Sequence, residues 1–456
     1  MNKKFNNEII TGICVDLSSE GKGVVKDKEK VIFVDGLFPG EEVEVEIMYS
    51  RAKVYFGRVK KLLKISKDRI EPKCQVCTAC GGCQFQQLAY MQQLKYKTNK
   101  VKNDLERIGH LSVCVSNCVG MDAPYNYRNK IQVPIGYDKA HHIVSGFYRE
   151  NSHEIIPIKG CAIEDIRSEN ILTNIKRLMP LYHLRPYEED KGRGEVRHVL
   201  IRTSYYKKEV MVVLVLTVDT FPGQNNFIKE LIKACPEITT VVFNINKRRT
   251  NVILGEQEKI VYGSGFILDK LCDLSFRISS KSFYQINPIQ CEKLYKIAIE
   301  NAKLNKEDTI LDAYCGIGTI GLVASKEVNK VIGVEINKDA IKDAINNARA
   351  NNITNAQFIC DDANHFMQLA KLDKTKIDVV FLDPPRSGSD ENFLNAMMEL
   401  APKKIIYISC NPATLARDLN HLNPKYEIAS VQPVDMFPFT AHVETVALLV
   451  LKDFKK

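Results

Sequence analysis

The chain has 456 residues, 45% of them hydrophobic, so about two to four domains with their own cores are expected. It contains no apolar run of about eighteen residues, and its start, Met1-Asn2-Lys3-Lys4, is not a secretory leader; a membrane protein is excluded and a cytoplasmic one expected. A net charge of +9 suits a polyanionic partner, while fourteen cysteines in such a chain argue for thiol, metal or catalytic roles over disulfides.

Residues 8 to 63 alternate short apolar runs, such as Val31-Ile32-Phe33-Val34 and Val43-Glu44-Val45-Glu46-Ile47, with turn signals such as Asp35-Gly36 and Pro39-Gly40. Five short strands of period two predict a small β-barrel of the oligonucleotide-binding (OB) type. Its last strand carries Arg51, Lys53, Arg58, Lys60, Lys61 and Lys64, which reads equally as an RNA-backbone footprint or as a solvated edge guarded by lysines. Cys74, Cys77, Cys80 and Cys83 follow within ten residues around a Gly81-Gly82 pair. Thiolates so crowded repel one another unless a cation holds them, and all-sulfur ligation fits zinc or an iron–sulfur cluster. Cys161 is a further candidate ligand far along the chain.

From Phe85 to Ile108 apolar residues recur at helical spacing, with Lys95, Lys97, Lys100 and Lys102 assigned to the solvated face. Residues 125 to 280 then read as an α+β domain with a mainly antiparallel sheet. In it, Tyr127-Arg128-Asn129-Lys130 and Arg197-His198 combine cations with an aromatic, a pairing suited to phosphate contact and base stacking; ordinary surface charge is the competing reading.

From Asp308 strands and helices alternate. Thr309–Gly321 reads as strand, glycine turn and helix, and Val331–Glu335 is a second strand ending in an acid about twenty residues on, where βαβ units bind ribose hydroxyls. Two more strands end at Asp361-Asp362 and at Asp383-Pro384-Pro385-Arg386. A nicotinamide dehydrogenase is the rival, since Gly316, Gly318 and Gly321 also satisfy its glycine spacing. Next comes the buried strand Lys404–Ile408, broken at Ser409-Cys410-Asn411-Pro412, with Asn411 or Thr414 able to cap the helix beyond. Cys410 thus lies at the C-terminal end of a parallel strand, where α/β enzymes do their chemistry. A lone cysteine there is more often a small buried hydrophobe; its neighbours favour a role.

Together these motifs resemble the S-adenosylmethionine-dependent RNA (uracil-5-)-methyltransferases, in particular their iron–sulfur 23S rRNA branch with an N-terminal TRAM barrel. The likeness covers nearly the whole chain, Ser282–Asn287 included, and is most specific in Asp312–Gly318, Leu382–Arg386, Ser409–Pro412 and His442–Thr445 as a set. It implies a TRAM barrel over 1–64, a central cysteine-cluster domain over 65–284 and a Rossmann-like class I methyltransferase domain over 285–456. It also implies cofactor contacts at Gln285, Tyr314, Glu335, Asp362 and Asp383, with Cys410 as nucleophile and Glu444 as base. Cys74, Cys80, Cys83 and Cys161 would hold a [4Fe–4S] cluster, and Cys77 departs from the family pattern. The implied partner is RNA, 23S rRNA before tRNA, with no obligate protein partner.

Chemistry supports the same roles independently. C5 of uracil is a poor nucleophile until a thiolate adds at C6, and a base must afterwards remove the C5 proton. The base must also leave its stack to reach such a crevice, with Phe283 as a stacking candidate. An amino-methyltransferase would place an aromatic where Arg386 stands and needs no cysteine; a non-catalytic RNA-binding assembly protein needs neither Cys410 nor Glu444.

Overall fold

The computed structural model describes residues 3–4, 8–28, 30–149 and 152–452. Near the N-terminus, strands Ile9–Leu17, Gly23–Asp27, Lys30–Val34, Glu42–Arg51 and Val54–Lys64 form a closed barrel. Closure follows because Glu42–Arg51 pairs with both Ile9–Leu17 and Val54–Lys64, and alternation sends Cys14, Val25, Ile32, Val43 and Val45 inward. The cations of the last strand do not form a bare footprint. Register sets Arg58 opposite Glu46, Lys61 opposite Glu44 and Lys64 opposite Glu42, and Arg58 and Lys64 approach their carboxylates to 2.9 and 3.7 Å.

The long helix spans Tyr90–Arg107, five residues shorter at its start than the apolar periodicity predicts. Phe85 and Leu88 are instead tied off the helix, by a backbone bond from Phe85 to Phe439 and a bridge from Leu88 to Arg69. The assignment of Lys97 to the solvated face is overturned: it is fully buried and ion-paired with Asp435. Lys100 is also engaged, donating to the carbonyls of Ser19 in the barrel and Ala441.

The central sheet runs, in spatial order, Gln257–Tyr262, Ile238–Ile245, Val210–Leu216, Val196–Thr203, Lys130–Tyr137, Ile143–Tyr148 and Ile155–Pro157. All its pairings are antiparallel except that of Val210–Leu216 with Ile238–Ile245. Helices Arg167–Leu178 and Gln224–Ala234 cover one face. The other face shares a core with the C-terminal part: Leu200, Met211 and Val213 join Ile310, Val331, Phe381 and Ile406 in one apolar cluster.

The C-terminal sheet has the order Ala356–Cys360, Lys330–Glu335, Thr309–Ala313, Val379–Leu382, Lys404–Ser409, Glu444–Leu451, Tyr426–Val434. The first five strands are parallel and the last two pair antiparallel. This is the expected Rossmann-like layering. Among the described residues no helix is long and apolar enough to cross a membrane.

Candidate functional site

Strand order reverses between Thr309–Ala313 and Val379–Leu382, which opens a crevice at the C-terminal ends of the parallel strands. The glycine turn lies there. Gly318 has φ +80° and a Cβ on it would stand 2.9 Å from the Phe358 ring, so only glycine fits. Gly321 donates its N–H to Asp312 Oδ2 at 2.8 Å, and burial pushes that carboxyl up to about 7. Tyr314 occupies the left-handed region at φ +65°, a conformation side chains adopt where the surroundings impose it. Tyr314 lines a cavity together with Phe283, Gln285, Gly316, Ile317 and Asp383.

Four of the five residues expected to contact the cofactor lie at this rim. Gln285, Tyr314 and Asp383 share the cavity, and Glu335 accepts the Gly316 N–H at 3.2 Å and the Asn337 N–H at 2.9 Å. Asp362 stands at the end of the neighbouring strand, does not line that cavity, and caps the helix Ala363–Leu372 through Oδ1.

Cys410 and Glu444 meet through strand pairing. The ladder ends with Ser409 paired antiparallel to Thr445 at the crevice end of the sheet, Cys410 follows Ser409 and Glu444 precedes Thr445, and the Glu444 carboxylate acts on the Cys410 thiol. Cys410 is half-buried and leads into the helix Pro412–Leu422, which Asn411, rather than Thr414, caps by accepting the Ala413 N–H. Burial, then the Glu444 and Asp383 carboxylates, push the Cys410 thiol up to about 11, while Arg386 pulls it down. Glu444 is buried, and burial with Asp383 raises it to about 8 against the same arginine. Asp383 is raised by burial to about 7. Near neutrality Cys410 and Glu444 therefore hold their protons.

Asp312 opened a motif in the sequence without a role of its own, and one further support escaped sequence reasoning. Asp418, six residues beyond the Ser409–Pro412 motif, accepts the Tyr407 hydroxyl at 2.6 Å and the Ser389 N–H at 2.9 Å. Arg417 donates to the Ser387 carbonyl, and Asn411 to that of Arg386. Together they fasten the loop carrying Arg386 beside Cys410; the sequence marks Asn411 as a cap but gives no signal for this second contact.

The cysteine ligand set is not assembled as the sequence suggested. Among the described residues no three His, Cys, Asp or Glu side chains are gathered as a metal ion requires. The thiols are nonetheless neighbours: Cys83 and Cys161 border one cluster with Tyr127 and Phe439, and Cys74 raises the thiol pKa of Cys77, Cys80 and Cys83. Burial pushes Cys83 to about 11 and Cys161 to about 12.

Comparison with known proteins identifies the family. Residues 244–452 match the model of the tRNA (uracil-5-)-methyltransferase family. An uncharacterized RNA methyltransferase of Oceanobacillus iheyensis is 42% identical over 98% of this chain and 97% of its own. One of Halalkalibacterium halodurans is 41% identical over 98% of both. The crystal structure of the Pyrococcus abyssi tRNA (uracil-54, C5)-methyltransferase with S-adenosyl-L-homocysteine superposes with a TM-score of 0.79 and 29% identity, over 97% of this chain and all of that one.

Proposed function

Given that this chain belongs to the S-adenosylmethionine-dependent RNA (uracil-5-)-methyltransferases, we propose that it methylates C5 of a uridine in 23S rRNA through a covalent bond from Cys410 to C6 of the base. The observation that carries this reading is the Cys410 thiol just past the end of its strand, within the fields of Glu444, Asp383 and Arg386. When bound, S-adenosylmethionine supplies an electrophilic methyl group and departs as a neutral thioether. Gln285, Tyr314, Glu335, Asp362 and Asp383 are its proposed contacts, Glu335 in the position that takes ribose hydroxyls. Cys410, as thiolate, adds to C6 and moves the ring electrons onto C5, which takes the methyl group. Glu444 then accepts the C5 proton, and the electrons returning to the C5–C6 bond expel Cys410. Arg386 favours the charged form of both groups.

The test is a mechanism-based trap. RNA containing 5-fluorouracil has no C5 proton to lose, so with S-adenosylmethionine it is expected to remain bonded to the wild-type chain and not to Cys410→Ala. Absence of the adduct in wild type would remove the covalent mechanism.

The substrate has a second reading. The cysteine cluster and the barrel, features of the branch resembled, favour 23S rRNA. The Pyrococcus enzyme matches 97% of this chain, barrel included, and its substrate is tRNA. Loss of 5-methyluridine from one RNA class in a strain lacking this protein decides between them.

Cys74, Cys80, Cys83 and Cys161 are further proposed to hold a [4Fe–4S] cluster. The donor chemistry fits: partly buried thiols raised first by burial and also by neighbouring thiols, as Cys80, Cys83 and Cys161 are, gain most from a cation that takes them as thiolates. Anaerobically purified protein is expected to contain stoichiometric iron and acid-labile sulfide, lost in Cys83→Ser. Zinc without sulfide would overturn the assignment.

A further inference from the structure

The aromatic–cation pairings expected to touch RNA are largely withdrawn from the surface. Tyr127 is buried with its hydroxyl on the Pro438 carbonyl, and Arg197 is buried in an ion pair with Glu189; His198 is buried beside it. A different pairing is exposed. Strands Val196–Thr203 and Val210–Leu216 are joined by a tip in which Tyr205 and Tyr206 are 38% and 41% exposed, followed by exposed Lys207 and Lys208.

This tip is a built feature. The fully buried Asp269 accepts the Ser204 hydroxyl at 2.8 Å and the N–H groups of Tyr205 and Tyr206 at 3.2 and 3.0 Å. Arg167 clamps both ends by donating to the carbonyls of Ser204 and Lys208. The two rings stand edge to face at 4.9 Å, Lys208 lies 5.4 Å from the Tyr205 centroid, and Tyr206 is further fixed by its hydroxyl on Glu292. Rings so held lose little further freedom on binding, which favours a ligand with a flat face.

Its root is tied to the candidate active site. Arg202 donates to the carbonyls of Ser280 and Ser282, and Ser282 precedes Phe283, which is 69% exposed at the mouth of the crevice. Thr203 donates to the Asn129 carbonyl, and Asn129 donates to that of Gln285. Lys130 stands directly across the ladder from Arg202, adding a cation to the same end of the sheet.

We propose that the Tyr205–Lys208 tip is a stacking platform for an unpaired nucleotide of the substrate RNA flanking the target uridine, with Lys207 on the adjoining phosphate. The inference rests on the RNA-methylation reading above. Aromatic rings interleaved with lysines recognise single strands because every base offers a π face and every linkage a charge. A paired helix offers no such face to a protruding ring.

The experiment compares full-length wild type, Tyr205→Ala and Tyr205→Phe for binding of a short unpaired oligouridine RNA and for methylation kinetics. Tyr205→Ala is expected to weaken RNA binding about ten-fold and raise the RNA KM similarly, with kcat and S-adenosylmethionine affinity unchanged. Tyr205→Phe keeps the stack and wild-type affinity. Lys207→Gln is expected to flatten the slope of log affinity against log salt by about 0.7. Unchanged RNA affinity in Tyr205→Ala, or equal loss in Tyr205→Phe, overturns the platform. A wild-type chain that binds RNA but forms no fluorouracil adduct overturns the mechanism instead, and the affinity comparison still decides the platform.

Discussion

Glu444→Gln is expected to stop the reaction after methyl transfer, so that enzyme accumulates covalently joined to ordinary, unfluorinated RNA. Cys410 can still add to C6 and C5 can still take the methyl group, but the Glu444 carboxylate that acts on the Cys410 thiol is no longer there to remove the C5 proton. Turnover is expected to fall by about 10²–10⁴-fold, the usual contribution of a positioned base. The adduct is visible as a denaturation-resistant shift of the protein on a gel. Turnover within a few-fold of wild type, without adduct, would transfer the base role to another group.

The same carboxyl sets the pH dependence. Glu444 rises to about 8 in the folded chain, so only its ionised fraction can act as base, and the rate is expected to climb with pH through about 8. The stability effect has the opposite sign. A carboxyl whose folded pKa lies above its unfolded value stabilises the fold fully below the unfolded value. That contribution disappears as pH rises through the folded one. Between roughly pH 5 and 9 the melting temperature of wild type is therefore expected to fall more steeply than that of Glu444→Gln, which has no proton to lose. Thermal melts across that range measure the difference, and parallel curves would mean Glu444 is not held protonated by burial.

The C-terminal fold was legible because its signals are local: apolar runs of strand length, a glycine turn, acids at strand ends. The juxtaposition of Cys410 and Glu444 was not local. It arises because the strand from Glu444 inserts between Lys404–Ser409 and Tyr426–Val434, leaving its sequence neighbour at the edge. Motif likeness supplied the pair; register supplies the reason. Reading charge was harder. The barrel cations look free in sequence because the glutamates opposite them belong to another strand, and Arg197 looks exposed because Glu189 reaches it from a preceding turn. Tyr205 and Tyr206 drew no attention in sequence, since an aromatic pair in a strand region is more often core; it is the turn capped by Asp269 that exposes them.

Lys97→Met is expected to cost about 3–5 kcal/mol, because it leaves the Asp435 carboxylate buried without its cation. Helical spacing put Lys97 on the polar side of Tyr90–Arg107, yet its partner comes from 338 residues later in the chain. Asp435 would retain only the Tyr90 hydroxyl, at 2.8 Å, and the Phe437 carbonyl would lose the lysine ammonium, now 3.0 Å away. At roughly 2–4 °C per kcal/mol for a large domain, the melting temperature is expected to drop by about 10 °C. Lys97→Met with Asp435→Asn removes both charges and is expected to recover much of that loss, since the penalty lies mainly in the orphaned carboxylate. A kinetic effect accompanies it. Asp435 begins the segment that runs into Glu444, and the same segment is held by Asn287 on the Met436 carbonyl, Gln290 on the Asp435 carbonyl and Gln93 on the Phe439 N–H. Loosening one end lets Glu444 wander from Cys410, so Lys97→Met is expected to lower kcat below the unfolding range with S-adenosylmethionine binding intact. A melting temperature within about 2 °C of wild type would show that water or another group already compensates Asp435, and that the buried pair does not hold this segment.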